Sequence, residues 1–501
     1  MDINPLRIRR CVANDVPVDP KAAFVLYWMT ASRRMAWNYA MDRAVDWACR
    51  LCKPLVILET MPLDNRWASE RHHAFVLQGM ADNANACKQG GIRYYPFVES
   101  KPGDTIDLLA ALADLSCVVV TDDFPIRSVA DDIEQAAGRI GVPLEAIDSS
   151  GLLPLRAAER IFSTAHSFRR VLQRTLPDHL PEVPKANPMA RKRLPRLHGL
   201  PARITRRWPA VPAGRLANPR KGLASLPLNH DVGPVDIVGG PHAARKALKQ
   251  FLRKRLADYV ADRNHPDADA TSGLSPYLHF GHISPHEIFH ALAKAEGWSP
   301  ANVAERASGS REGWWGMSPS AEAFLDQLLT WREVGFNRCA HSDDYDQYES
   351  LPDWAKKTLA EHAADPRPYV YTSDEFQKSA THDPLWNAAQ TQLVREGRMH
   401  NYLRMLWGKK ILEWSAHPQE ALETMIELNN KYALDGQDPN SYSGICWVLG
   451  RYDRPWGPER PIFGKIRFMS SQNTARKLRL RDYFLKYADN ELDVRDPQAS
   501  V

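Results

Sequence analysis

Residues 386–447 read WNAAQTQLVREGRMHNYLRMLWGKKILEWSAHPQEALETMIELNNKYALDGQDPNSYSGICW. Apolar side chains recur at helical spacing through most of this stretch. They predict helices over 386–395, 399–414 and 418–431, with loops between them. Trp407 and Trp414 are seven residues apart, so they share one face of one helix. Trp386 opens the preceding helix, directly after Asp383-Pro384. Packed indoles let an electron hop from the surface to a buried acceptor, although tryptophan at helical spacing also serves as plain core. Polar groups stand inside this apolar region. Arg404 would be costly to bury alone, so an acid partner is expected. Asp435, in the loop LDGQDPN, has the right chemistry.

Upstream, the helical texture continues back to about residue 239. Runs over 243–262 and 324–337 read as helices, no strand-like alternation of any length appears, and no internal repeat is visible. The segment from Thr271 to Ser284, TSGLSPYLHFGHIS, sets small hydroxylated residues before a helix start. Side-chain hydroxyls and free backbone N–H groups there suit an anion.

The first 150 residues have another pattern. Short runs rich in Val, Ile, Leu and aromatics, at 22–29, 54–59, 92–98, 117–121 and 144–147, alternate with helix-length segments. That predicts a five-stranded, parallel, doubly wound sheet of Rossmann-like type. No GxGxxG follows the first strand, so a dinucleotide in the usual Rossmann position is not indicated. From about 181 to 221 prolines and basic residues dominate, Lys185, Arg191, Lys192, Arg193 and Arg196 among them, with Glu182 nearly alone against them. This reads as an extended linker, either a solvated tether or a phosphate-attracting strap. The expected division is an α/β domain over 1–180, a basic Pro-rich linker over 181–238 and an all-helical domain over 239–501.

Composition agrees with a large globular protein. The chain has 501 residues, 44% hydrophobic and 25% charged, and a net charge of only +5. No run of about 18 apolar residues exists, so no membrane span is expected. The start MDINPLRIRRC lacks the apolar core of a signal peptide, which predicts a cytoplasmic protein. Seven scattered cysteines fit reduced thiols. Cys49 and Cys52 form a CxxC that no second pair answers, so no metal site is expected.

Taken together, these motifs resemble class II cyclobutane pyrimidine dimer photolyases of the photolyase/cryptochrome family. The similarity is strong over about 271–483, including LPDWAKKTLAEH, THDPLWNAAQ, ILEW and IFGKIR, and weaker in YWM and VVVTDDFPIR nearer the start. It implies that the helical domain binds FAD and that the chain repairs UV-damaged DNA by light-driven electron transfer to a flipped-out dimer. Trp386, Trp407 and Trp414 would form the relay that photoreduces the flavin, with Trp407 nearest to it. Thr271, Ser272, Gly273, Leu274 and Ser275 would hold the diphosphate, and Tyr259 and Arg332 match two further flavin contacts. Asn401, Arg404, Asn429, Asp435 and Asp438 would surround the ring and its adenine side. Trp331 and Trp447 would line the lesion pocket, and Met405 would lie between flavin and lesion. A deazaflavin-type antenna is the usual second chromophore in such relatives. A monomer without membrane attachment is the expected form.

This sequence also departs from the family pattern. Gln327, after Asp326, stands where the family has a dimer-binding Glu; Gln donates hydrogen bonds but supplies no proton. Leu406 replaces a Tyr, Asn430 an Asp, and GRYDRPWGPER loses a His. These changes keep two alternatives open: a cryptochrome-like flavin photoreceptor, which Gln327 favours, and a photolyase of altered lesion preference such as (6-4). The lack of a long tail after Tyr487 argues against the photoreceptor; the tail from 489 lies outside the residues described below.

Overall fold

The computed structural model describes residues 3–11, 16–63 and 65–488. The chain forms two compact units. One comprises Met1–Glu159, Arg174–Lys249 and Leu274–Ala301, the other Arg160–Gln173, Gln250–Gly273 and Asn302–Val501. This grouping interleaves segments instead of dividing the chain at 180 and 238.

The first unit is built on one sheet of β1 (Ile8–Arg10), β2 (Phe24–Met29), β3 (Leu55–Met61), β4 (Arg93–Val98), β5 (Ser116–Asp122) and β6 (Leu144–Ile147), in the order β1-β6-β5-β2-β3-β4. β2 to β6 pair in parallel, and they are the five strands expected. β2, β3, β5 and β6 are buried at every position, which is why they read as continuous apolar runs. β1 is the addition: it pairs antiparallel with β6. Its three residues, Ile-Arg-Arg, carry too little apolar signal to be read as a strand. Arg9 is instead tied to Asp123 at 2.9 Å, a charged finish suited to a sheet edge.

The chain changes direction between β2 and β5, where an α/β sheet usually opens a crevice for a ligand. Here the protein's own carboxylate fills the anion position. Asp122 accepts hydrogen bonds from the N–H groups of Thr30, Ala31 and Ser32 at 2.9–3.0 Å and from the Tyr27 hydroxyl at 2.8 Å. That is the structural counterpart of the missing glycine motif.

The basic, proline-rich stretch is less extended than its composition predicts. It contains the short helices Ala202–Arg207, Ala213–Ala217 and Pro219–Leu223. Ile204 and Trp208 join one apolar cluster of the sheet, and Leu216 and Leu223 join another beside the helix Glu70–Gly90. Apolar residues spaced among the arginines pin it down, a pattern the prolines mask in the sequence. Residues 274–301 group with the sheet for a similar reason. Gly281, at φ +68°, approaches Ala31 so closely that a Cβ would stand 1.8 Å from its carbonyl oxygen.

Every named strand lies in the first unit, and the second unit is helical. The expected run over 243–262 breaks at 255–258, between the helices Pro241–Lys254 and Tyr259–Asp262. The expected run over 324–337 is three pieces: Pro319–Leu325, a π-helical segment Asp326–Trp331, and Arg332–Ala340. The helices Pro384–Glu396, Asn401–Trp414 and Pro418–Tyr432 match their expected positions within two residues. Pro439–Val448 follows and packs against several of them.

Candidate functional site

Helix Asn401–Trp414 is the spine of the site. Gly408 lets it lie close to its neighbour: a Cβ there would stand 2.6 Å from Val448 Cγ2 and 3.0 Å from Met425 Sδ. Gly335 does the same for Arg332–Ala340, where a Cβ would meet the Pro439 carbonyl oxygen at 2.7 Å. Three helices thereby converge on Pro439–Val448.

The three indoles singled out from the sequence are brought together. Trp386 and Trp407 stack with ring centroids 6.4 Å apart and planes within 5°, and Trp386 meets Trp414 at 6.0 Å, edge to face. Trp386 donates through Nε1 to the Trp407 carbonyl at 3.0 Å, and Trp407 donates to Gln390 Oε1 at 2.9 Å. All three rings are buried, Trp414 included. The row therefore does not end at the surface with Trp414.

It continues through groups that sequence reasoning missed. Tyr371 packs on Trp414 at 5.6 Å and His382 at 5.0 Å. The Tyr371 hydroxyl and His382 Nδ1 lie 2.6 Å apart, and Tyr369, which is exposed, stacks on His382 at 3.7 Å. Burial raises the Tyr371 phenol and lowers the His382 imidazole, so both are neutral at pH 7. The rings of Tyr369 and Tyr371 stack with centroids 6.3 Å apart, so the two side chains project to the same side; their spacing of two was the available signal.

Arg404 and Asp435 meet as expected. Arg404 Nη2 donates to Asp435 Oδ1 at 2.9 Å, each side chain 16% exposed. Arg404 Nε is buried without a hydrogen-bond partner among the described residues. Asn429 is buried and donates to Ser441 Oγ at 2.7 Å, and Gly436 makes the turn beside it, where a Cβ would stand 2.9 Å from the Asn429 carbonyl oxygen. Asp438 caps Pro439–Val448 by accepting from Asn440 N at 2.9 Å. Asn401, exposed, begins the spine helix, and Met405 is half-buried one residue beyond Arg404.

Around the start of that helix lies the hydroxyl-rich segment. Arg398 pairs with Asp269 at 3.6 Å, and Arg255 donates to the Thr271 carbonyl at 3.2 Å. Thr271 and Ser272 are half-buried, and Gly273 turns at φ +67° with open space around its Cβ position. Ser275 is the first residue of a five-residue helix, Ser275–His279, whose cap is Leu274 with no side-chain hydrogen bond. The serine is thus inside the helix, with Pro276 behind it, and not at the capping position. Tyr259 is buried against Phe251 and Phe324, and Arg332 lies over Phe336 at 4.0 Å.

The π-helical segment carries Gln327 and Trp331, both half-buried. Its Arg332 N–H reaches back to the Gln327 carbonyl, one residue further than in an α-helix. Asp326 does not replace the absent Glu, because Arg169 takes its carboxylate at 2.7 Å in a pair 6% and 8% exposed. Trp447, half-buried, stands at the far end of Pro439–Val448. Among the described residues no group of His, Cys, Asp and Glu is arranged to hold a metal, and no helix is long and apolar enough to cross a membrane.

Residues 25–189 match the family model for DNA photolyase. The deoxyribodipyrimidine photo-lyase of Methanothermobacter thermautotrophicus is 33% identical over 482 residues, 96% of this chain and 98% of that protein. The enzyme of the same name from Oryza sativa is 33% identical over 481 residues, 92% and 87% of the two chains. A bacterial class III photolyase from Agrobacterium tumefaciens has the same fold, with a TM-score of 0.67 at 17% identity over 95% of this chain and 88% of that one. Sheet, helical unit and full-length similarity agree, and the chain belongs to the DNA photolyase family of enzymes.

Proposed function

We propose that this photolyase is a class II enzyme that repairs cyclobutane pyrimidine dimers in DNA, using light and reduced FAD. The observation that carries the reading is the buried row Trp407–Trp386–Trp414, with contacts of 6.4 and 6.0 Å, in which Trp386 of Pro384–Glu396 bridges two indoles of the helix that also bears Arg404. A structural core needs apolar packing; it does not need three indoles in sequence with phenol and imidazole groups continuing to the surface.

The residues present fit a flavin. An arginine with one buried nitrogen still unsatisfied, a paired acid and a buried amide offer edge contacts beside apolar walls. Arg404, Asn429, Asp435, Asp438, Asn401, Tyr259, Arg332 and the segment Thr271 to Ser275 would hold FAD. When bound, it would supply the light-absorbing reductant for the dimer. Arg404 would set a positive charge beside the flavin ring, and Asp435 fixes the guanidinium. Asn429 presents a neutral amide that Ser441 orients. Trp386, Trp407 and Trp414 would line the path for electrons from the surface toward the bound flavin, and would take no part in splitting the dimer. Trp331 and Trp447 would stack on the flipped bases, with Met405 between them and the flavin. Gln327 would donate to a pyrimidine carbonyl without offering a proton.

The first unit holds a cavity of about 1050 Å³ lined by Met35 and Trp37, by Lys192, Arg193, Arg196 and Arg245, and by Asp82 and Glu287, the last paired with Arg245 at 2.5 Å. Its size suits a small chromophore, and its cations suit an acidic tail. This supports a deazaflavin-type antenna there. The protein would act as a cytoplasmic monomer.

The test is repair of an oligonucleotide with one defined thymine dimer by FAD-loaded protein, in blue light and in darkness. Light-only repair supports the reading. Normal photoreduction with no repair would favour the photoreceptor to which Gln327 points; repair of a (6-4) lesion alone would move the specificity.

A further inference from the structure

We propose that Lys409 is a positioning residue for lesion recognition: its ammonium, buried behind Trp447, holds that indole as the wall of the lesion pocket. This rests on the placement of Trp447 in that pocket given above.

Lys409 is fully buried on helix Asn401–Trp414. It donates to the Val448 carbonyl at 2.5 Å, and its nitrogen lies over the Trp447 ring at 5.1 Å from the centroid. No carboxylate pairs with it among the described residues. Val448 is the last residue of Pro439–Val448, where carbonyls lack an intrahelical donor and the helix dipole is negative. The lysine therefore ties down the helix end that carries Trp447 and places a buried cation over its indole. A lysine with one acceptor is an expensive choice for a packed site, since a methionine would fill similar volume without desolvating a charge. Breaches of a packing rule concentrate where function requires them.

Further charge lies near the same indole. Arg467 lies over Trp447 at 5.7 Å and over Trp456 at 4.2 Å, and Asp453 accepts from Trp456 Nε1 at 3.1 Å. Asp453 and Arg467 are the charged groups that bear on Lys409, the first favouring its ammonium and the second opposing it. Helix Pro439–Val448 brings only Tyr442 and Cys446 as titratable groups, both kept protonated by burial. Helix Pro418–Tyr432 contributes Met425, which packs at Gly408. Burial pushes the Lys409 amine down to about 7. The cation that braces Trp447 is thus present on the acid side of neutrality and lost on the alkaline side. Bound phosphates would favour the charged form, so lesion affinity should rise as pH falls through that value.

The test compares FAD-loaded wild type, Lys409→Met and Lys409→Arg for binding to a dimer-containing duplex and to its undamaged counterpart. Fluorescence anisotropy is read one unit below and one unit above neutrality. Wild type should lose dimer preference on the alkaline side. Lys409→Met should bind the dimer roughly tenfold more weakly on the acid side, the scale of a desolvated cation–π contact, and show no pH step. Lys409→Arg should keep the affinity and lose the step. Flavin photoreduction should be unchanged in both variants, which separates bracing of Trp447 from general damage to the helix. Wild-type preference for the dimer with an intact pH step in Lys409→Met overturns the proposal. If that variant does not fold, the same pH step in Lys409→Arg overturns it. No dimer preference in wild type at any pH removes the lesion-pocket reading itself, and this inference with it.

Discussion

Replacing Asp326 with Asn should destabilise the helical unit and weaken lesion binding while sparing photoreduction. The carboxylate accepts from Arg169 Nε at 2.7 Å, and the two side chains are 8% and 6% exposed, so solvent screens the pair very little. Arg169 has one further bond, to the Gly309 carbonyl at 3.3 Å, and its Nη2 has no partner among the described residues. Neutralising Asp326 leaves the guanidinium charge buried and uncompensated, which costs about 3–5 kcal/mol. At roughly 2–4 °C per kcal/mol for a unit of this size, the melting temperature should fall by about 6–20 °C. Asp326 also begins the π-helical segment that carries Gln327 and Trp331. Once the anchor to Arg169 is lost, that segment has reason to revert to regular α-helix, turning both side chains by roughly 100°. The assay is a double-mutant cycle with Arg169→Met, read by thermal melting, by dimer binding and by flavin photoreduction. The double variant should melt above Asp326→Asn alone, because no charge is left stranded. Equal losses from the two single changes that simply add in the double would refute the pairing argument. Lost photoreduction would refute the claim that this turn serves only the lesion side.

Other perturbations address other parts of the site. Trp386→Phe removes the middle indole, so photoreduction should slow sharply, while chemically reduced enzyme repairs at the wild-type rate in a pre-reduced single-turnover assay. Gly408→Ala places a methyl 2.6 Å from Val448 Cγ2 and should cost about 1–3 kcal/mol in denaturant unfolding, as overpacked cores do. For Lys409 the folded amine sits near 7 against 10.5 for the exposed group, so the unfolded chain binds the extra proton between those values. Stability should then rise with pH across that window by up to about 1.4 kcal/mol per unit relative to Lys409→Met, and a parallel pair of stability curves would contradict the burial of the charge. Dimer binding should weaken as salt rises, since Arg454 and Arg467 border the same surface; a flat dependence would exclude phosphate contacts.

The sheet was legible because its strands are buried on both faces. β2 reads FVLYWM with no polar interruption, and such runs are unambiguous when helix-length segments separate them. β1 was not legible because its contribution is backbone pairing along an edge, with arginines outside. The Arg404–Asp435 pair was legible because a buried cation demands an acid, and the loop offered one. The Arg169–Asp326 pair was not, since 157 residues separate its members and nothing local requires either. Lys409 was hidden in a different way. A KK pair late in a helix looks like a solvated face, and only the packing of Pro439–Val448 shows that the first lysine is buried and the second leans on Trp414. What pattern cannot supply is that both adjacent lysines are buried, the first on the Val448 carbonyl and the second against Glu413.

The geometry of helix Asn401–Trp414 gives the reason why the two proposed tasks should be separable. At roughly 100° per residue, Trp407 and Trp414 fall within about 20° of each other around the axis, and Met405 and Lys409 within about 40°. The two pairs lie roughly 170° apart. Arg404 and Gly408 occupy the arc between them. One face of the helix therefore meets Trp386 and the route to Tyr371, and the opposite face meets Trp447. Arg404, held by Asp435, sits where both faces border the proposed flavin. A substitution on either face acts on one task through side-chain contact, and it reaches the other only by moving the helix. Gly408, which sets the depth of the helix against Val448, is the position where a single added methyl should disturb both at once.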